Sequence, residues 1–334
     1  MELFEREIYK RYMTLIEAAG CAQEPGFAKE PCFAKSPRST KEPRAVRLAE
    51  IMDDYDAFCF DGYGTLYNRG AFVYPGSREM FDALRKAGKQ LRLVTNAASD
   101  VVDVLAADAA KRGFNFSASE TISSGSLLGD LAANLRAGIC FGNLSQKVAP
   151  RTLKEVFYIG RETGLHVLNA NGINAVENPA EPIVAISSAK DTPETYAHAV
   201  EILRRPGAVL LVLNSDAWAP KTDGTREPVS GALCERLRRD SVCDANDGMG
   251  CETYYLGKPF PEIWTAVRKT LPASLFDGKE PRVLMIGDTL GTDIYGGKIA
   301  GFDSALIVGR NEPVMELAED ETELGVRPDY YLVP

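Results

Sequence analysis

Histidine is nearly absent: His166 and His198 are the only two in a chain of 334 residues. They stand far apart, so the chemistry is expected to run on carboxylates, hydroxyls and lysine instead. Long apolar runs are missing too. Ala208 to Leu213 is about the longest, well short of the roughly 20 residues that span a bilayer. The opening Met-Glu-Leu-Phe-Glu-Arg-Glu is too charged for the apolar region of a signal peptide. Seven cysteines are scattered without a Cys-x-x-Cys pair, which argues for reduced thiols and against a disulfide framework or zinc site. Basic charge is short as well: 38 Lys and Arg stand against 47 Asp and Glu, a net charge of −9. That argues against a nucleic-acid partner held by a broad basic surface. With no membrane and no nucleic acid as partner, the expectation is a cytoplasmic enzyme acting on a small molecule.

What is present suffices for about two domains on the usual range of 100 to 200 residues each. The composition is 45% hydrophobic and 25% charged, ordinary for a soluble protein with a full core. Leu3, Ile8, Tyr12, Leu15 and Ile16 recur at near-helical spacing, so residues 2–19 read as a helix that Gly20 can end. A tandem hexamer follows, Glu24 to Lys29 and Glu30 to Lys35, and then further prolines. Two copies make no solenoid, and the prolines block helix and sheet. Residues 1–43 therefore read as an N-terminal helix and a Pro-rich extended arm.

From Arg44 a short helix is expected to about Asp53, then a buried strand over Asp56 to Phe60. Ser77 to Ala87 reads as a helix, Leu91 to Val94 as a strand and Asp100 to Arg112 as a helix. Near the far end, Val283 to Ile286 and Ala305 to Val308 read as strands around a helix over 291–300. Strand–helix–strand alternation predicts an α/β fold with a doubly wound parallel sheet. The middle carries its own strand candidates, Val156 to Ile159, Ile183 to Ile186 and Val209 to Leu213, enough for an inserted α/β domain. The expected division is a discontinuous core over 44–141 and 256–334 and an insert over 142–255.

In such sheets ligands sit beyond the carboxyl ends of strands, and four loops there carry chemistry. Asp61-Gly-Tyr-Gly-Thr65 places a carboxylate between glycines, a nucleophile or metal-ligand candidate. Thr95-Asn96 offers a hydroxyl and successive amides for an oxyanion. Gly257-Lys258-Pro259 places a cation before a helix, suited to neutralising a phosphoryl group. Gly287-Asp288 to Asp293 sets two acids on a glycine-flanked loop, and acidic oxygens suit Mg²⁺.

The four loops in this order resemble motifs I to IV of the haloacid dehalogenase-like (HAD) superfamily. The insert between motifs II and III, the Thr95-Asn96 pair, Asn214-Ser-Asp216 and Pro228 to Ala232 resemble its capped phosphatase branch, subfamily IIA, over roughly 45–334. The resemblance implies a Rossmann-like core with a C2-type cap and a small phosphomonoester substrate. It makes Asp61 the nucleophile that forms an aspartyl-phosphate. Mg²⁺ would be held by Asp61, the backbone carbonyl of Tyr63, and Asp288, with Asp293 supporting the site directly or through water. Thr95, Asn96 and Lys258 would bind the phosphoryl oxygens, Lys258 would also hold Asp61, and Thr65 would orient the loop. Cap-mediated homodimers occur in this branch, so such a dimer is an expectation.

One position departs from the pattern. HAD phosphatases usually carry a second aspartate two residues after the nucleophile, as acid and then base; here Tyr63 stands there. Tyr63 reads either as a proton donor or as a packing residue of the metal loop. The run Phe60 to Leu66 also resembles motif I of the 2-haloacid dehalogenases, which displace halide without a metal or a general acid. The pair Asp288 and Asp293 favours the Mg²⁺-dependent phosphatase. A dehalogenase using Asp61 and a catalytically weak binder of phosphorylated ligands are the alternatives. Asp216, Trp218, Lys221 and Arg226 lie on a cap segment that could face the site.

Overall fold

The computed structural model describes residues 3–21, 42–138, 150–243, 250–278 and 280–333. One seven-stranded parallel sheet is built from both ends of the chain. Its strands are β1 (Arg44–Val46), β2 (Ala57–Phe60), β3 (Gln90–Thr95), β4 (Thr121–Ser123), β12 (Val283–Gly287), β13 (Asp303–Leu306) and β14 (Tyr330–Leu332). Their spatial order, β1-β14-β13-β12-β2-β3-β4, puts β2 in the interior of the sheet, between β12 and β3. That position explains the uninterrupted apolar run of β2, which is buried on both faces.

Period-two alternation assigns those faces. Phe58 and Phe60 join Phe81 and Leu84 of α2 (Ser77–Lys86) and Ala109 of α3 (Val102–Lys111) on one side. Ala57 and Cys59 join α4 (Leu128–Arg136) and α8 (Pro261–Thr270) on the other. Apart from the segments 44–53 and 291–300, the expected helices and strands of this part are present within a few residues.

A second sheet comes from the middle of the chain. Its strands are β5 (Glu155–Ile159), β6 (Asn174–Ala175), β7 (Ile183–Ile186), β8 (Val209–Val212) and β11 (Glu252–Tyr255), in the order β11-β8-β7-β5-β6. Ile183 and Ala185 share a hydrophobic cluster with the core sheet's Ala57 and Val94, so the two sheets are joined through one apolar layer. Around this sheet lie α5 (Gly164–Ala170), α6 (Pro193–Leu203) and α7 (Ser230–Asp240). Thr192 accepts from the backbone N–H of Thr195 and Pro193 opens the first turn, so α6 begins where its capping residues dictate. A small antiparallel hairpin, β9 (Trp218–Pro220) with β10 (Arg226–Pro228), projects from the insert.

Some expectations are corrected. Residues 44–53 form no α-helix: Arg44 to Val46 pair with Tyr330 to Leu332 as the edge strand β1, and two tight 3₁₀ turns follow. The helix expected over 291–300 starts as a wide π-type turn, Leu290–Ile294, before α9 (Tyr295–Ile299). The tandem hexamers lie outside the described residues, as does the start of the insert at 142.

The N-terminal helix, α1 (Leu3–Cys21), is present as expected. Its apolar stripe of Ile8, Tyr9, Tyr12, Met13 and Ile16 is buried among residues beside the second sheet, such as Leu233 and Leu237, and beside the seven-stranded sheet, such as Leu290 and Leu317. The core residues include those of α10 (Leu317–Leu324). Each such side chain contributes about 1.5–3 kcal/mol on burial. Arg6 pairs with Asp320 and Arg11 with Glu235, fastening the helix to core and cap in turn. Among the described residues, no helix is long and apolar enough to cross a membrane.

Candidate active site

Parallel neighbours end at the same edge, so β2, β3 and β12 deliver Asp61, Thr95 and the loop after Gly287 to one place. Lys258 arrives from the other sheet, three residues beyond the end of β11, on a turn whose Lys258–Pro259 bond is cis. The four expected loops therefore meet, although Lys258 and Asp61 are 197 positions apart.

At the floor of the resulting cleft the Lys258 ammonium bridges two carboxylates. Its Nζ lies 2.5 Å from Asp61 Oδ1 and 2.7 Å from Asp293 Oδ1. One oxygen each of Asp61, Asp288 and Asp293 lies within 4.8 Å of the others, and all three residues are buried. Three buried carboxylates against one ammonium leave an excess of negative charge, and burial of unpaired charge is costly. The acids respond. Burial, with Asp293 adding to it and Lys258 opposing, pushes Asp61 up to about 7. Burial and then the charges of Asp61 and Asp293 push Asp288 well above the ordinary carboxylate range. Burial works against the charge of Lys258, but Asp293 and Asp61 outweigh it, so the ammonium is held more tightly protonated than usual.

This donor set fits a hard divalent cation. Asp288 Oδ2 is buried without a hydrogen-bond partner, and carboxylate oxygens are the ligands that Mg²⁺ prefers. Room is kept by Gly64, which has φ +97° and whose absent Cβ would collide with the Asp288 carboxylate. Asp293 has a further duty: its Oδ2 accepts the backbone N–H groups of Asp288 and Thr289, both at 3.1 Å. It thereby ties the motif IV loop into the shape that presents Asp288.

Tyr63 lines the cleft with Asp61, Thr95 and Lys258. Its ring packs edge-on against Tyr67, 5.2 Å between centroids and 80° between planes. Burial and then nearby Asp108 raise the phenol above its ordinary value, so it stays protonated at neutral pH. Thr95 is buried, and its Oγ1 accepts from the N–H of Ala97 at 3.2 Å, shaping the loop. Thr65 Oγ1 is buried without a hydrogen-bond partner among the described residues.

The Asn96 side chain is engaged with Lys258 and Asp216, so the part expected of this residue in phosphate binding falls to its backbone amide: Oδ1 accepts from Lys258 N at 2.7 Å, and Nδ2 donates to Lys258 O at 3.0 Å and Asp216 Oδ1 at 2.7 Å. The Asn96 side chain is a clamp on the backbone of Lys258. Ser215, which the sequence reading did not single out, adds a hydrogen bond from its Oγ to the same Lys258 carbonyl. Of the cap segment, Asp216 and Trp218 line the cleft. Lys221 pairs instead with Asp223, and Arg226 lies behind the Trp218 ring.

The cleft encloses about 360 Å³, room for a small substrate. Its outer wall includes Arg69, Arg161 and Lys190, and Arg69 pairs with Glu227 of the hairpin. Asn311 was also missed; its only sequence signal is a polar pair, Asn311-Glu312, in the turn after β13. Both histidines lie away from the cleft lining. His198 meets the Glu177 carbonyl at 2.9 Å.

Comparison with known proteins agrees with this geometry. Residues 58–174 match the family model described as haloacid dehalogenase-like hydrolase, and residues 255–333 match the one described as HAD-hydrolase-like. Mouse chronophin is 28% identical over 295 residues, covering 85% of this chain and 92% of that protein. Human glycerol-3-phosphate phosphatase is 26% identical over 286 residues, covering 78% and 81%. In fold, the chain is similar to a solved 4-nitrophenylphosphatase from Thermotoga maritima, with a TM-score of 0.61 at 21% identity, covering 84% of this chain and 95% of that one.

Proposed function

The chain belongs to the haloacid dehalogenase-like hydrolases, in subfamily IIA, and from that premise we propose that it hydrolyses a small phosphomonoester through an aspartyl-phosphate on Asp61. The observation that carries the reading is the Lys258 bridge between Asp61 and Asp293, with Asp288 alongside, at the floor of an enclosed cleft. Retained acids in the motif IV loop favour phosphate over halide chemistry, which needs no metal.

A carboxylate approaching a phosphate dianion is repelled. Two like charges about 4 Å apart cost roughly 1 kcal/mol in water and about 4 kcal/mol at an effective dielectric near 20. Mg²⁺, held by Asp61, the Tyr63 carbonyl and Asp288, would supply the neutralising charge and polarise the phosphoryl oxygens. Lys258 holds Asp61 in place through its hydrogen bond and presents a second positive charge to the phosphoryl group. Thr95 and the amides that follow it cradle the oxygens. In the first step Asp61 Oδ bonds to phosphorus as the ester P–O bond breaks. The leaving oxygen takes a proton, which the protonated Tyr63 phenol or solvent can give. In the second step water adds to phosphorus, the P–Oδ bond breaks, and inorganic phosphate leaves with Asp61 restored. The resting Tyr63 phenol is a poor base, since an ordinary phenol has a pKa near 10, so the proton of the attacking water goes to solvent, or back to the Tyr63 phenolate where that phenol was the donor.

Substrate choice falls to residues 142–255, acting as a cap over a core made of 44–141 and 256–334. The working location is the cytoplasm, and a homodimer through the cap completes the proposal. The test is phosphate release from 4-nitrophenyl phosphate. Release that needs Mg²⁺, stops with excess chelator and is lost in Asp61→Asn is the expected result. No release in Mg²⁺ would remove the phosphatase reading.

A further inference from the structure

A buried polar chain runs from the N-terminal helix through the cap to the motif IV loop. Glu5 of α1 is fully buried, and its Oε2 accepts from Arg226 Nη1 at 2.9 Å. Arg226 belongs to β10, the second strand of the cap hairpin. The same Nη1 donates to the backbone oxygen of Asn311 in the core at 3.2 Å. From Asn311 the side-chain Nδ2 donates to Thr289 Oγ1 at 2.7 Å, and that hydroxyl donates to Asp288 Oδ1 at 3.3 Å. The guanidinium of Arg226 also sits 5.8 Å from the ring centroid of Trp218, which lines the cleft.

Two aromatic contacts of α1 reach the same machinery independently. Tyr9 packs its ring on Gly291, where any Cβ would collide with it, so the helix touches the motif IV loop from behind. Tyr12 Oη donates to the Ser215 carbonyl at 2.9 Å, and Ser215 in turn holds the Lys258 carbonyl. A buried ion pair such as Glu5–Arg226 is a weak source of stability but an effective register device, because its geometry tolerates no alternative partner.

We infer that Glu5 and Arg226 are positioning residues, through which α1 seats the cap hairpin over the cleft and fixes the orientation of Asp288. The inference rests on the reading of Asp288 as a metal ligand. It adds to that reading a part of the chain that precedes both segments matched by the family models. Arg226 is not among the residues that line the cleft. Its charge holds Asn311 and Glu5 at a fixed spacing, and Asn311 decides where the Thr289 hydroxyl points.

The experiment uses the full chain with Arg226→Met, which keeps the stem and deletes the charge, and Glu5→Gln, which keeps the shape. Mg²⁺ affinity is measured by calorimetry without substrate, and KM and kcat for 4-nitrophenyl phosphate at saturating Mg²⁺. Partners behind metal ligands typically affect metal affinity by about 10- to 100-fold, so Arg226→Met is expected to weaken Mg²⁺ binding about 10-fold by that precedent. KM should rise with it, kcat at saturation should stay close to wild type, and Glu5→Gln should move both quantities the same way by less. If Arg226→Met shows no cooperative melt, Glu5→Gln decides by the same readouts. A lowered melting temperature with unchanged Mg²⁺ affinity and KM would make the pair merely structural and overturn the proposal. Wild-type chain that binds no Mg²⁺ would overturn the metal-site reading and this inference together. Wild-type binding with both variants unaffected would overturn this inference alone.

Discussion

Replacing Tyr63 by aspartate should create the acid–base group that the site lacks. The phenol is held protonated by burial and by Asp108, against the opposing pull of Arg112 and Arg161. An aspartate there would sit in the same field, with those two cations favouring its ionised form. General acid–base catalysis by a positioned group is worth about 10²- to 10⁴-fold, equivalent to roughly 3–5 kcal/mol of barrier. The gain belongs to substrates whose leaving oxygen needs a proton. An alkyl phosphate should therefore improve by about 100-fold or more by that measure, whereas 4-nitrophenyl phosphate, whose leaving group is already stable as an anion, should change little. Against this stands the lost edge contact with Tyr67, worth about 0.5–1.5 kcal/mol. For a protein of this size that lowers the melting temperature by about 1–2 °C, taking about 2.1 cal/mol/K of unfolding entropy per residue. The assay is the ratio of kcat/KM for the two substrates in wild type and Tyr63→Asp, with thermal melts alongside. A folded variant that keeps its nitrophenyl activity and gains nothing on alkyl phosphates would refute the reasoning.

Lys258→Met should abolish phosphate release and leave Asp61 and Asp293 without their shared cation. Losing one partner of a buried pair costs about 3–5 kcal/mol, so melting should fall in chelator and recover partly in Mg²⁺. Gly64→Ala should remove the Mg²⁺-dependent rise in melting temperature, because the new methyl meets the Asp288 carboxylate at a positive φ; an unchanged rise would show that the cradle is not needed. Burial, with the charge of Glu5 adding to it, pushes Glu312 up to about 8. The folded state then binds more protons than the unfolded state between the ordinary carboxylate pKa of 4.5 and about 8. Stability from this group is greatest at low pH and is lost as pH rises through that window, by up to about 1.4 kcal/mol per pH unit. Glu312→Gln should flatten the fall in melting temperature between about pH 6 and 8, and identical pH profiles would sink the assignment.

Much of the site was legible because its signals are local. Short apolar runs mark the strands, and each is followed at once by residues that line the cleft, as in Phe60-Asp61 and Gly287-Asp288. Side-chain direction was not legible. Asn96 follows Thr95 directly, yet its amide turns away from the cleft to hold Lys258, 162 positions away. The helical period of α1 announced a buried face but not its partner, since Glu5 meets Arg226 across 221 positions. Strand β1 escaped because three residues at a sheet edge owe their conformation to pairing with β14 rather than to local propensity.

The interleaving of the two sheets also sets an order of events during synthesis. Strand β2 and its nucleophile are made 197 residues before Lys258. At about 5–20 residues per second that is a delay of roughly 10–40 s. Throughout it, β2 lacks β12, one of the two strands it lies between, and presents an unpaired apolar edge. The nascent chain must be shielded across that interval. A chain stopped before residue 258 carries the Asp61 carboxylate with neither its cation nor its companion acids, so premature termination there yields an adhesive fragment rather than a weaker enzyme.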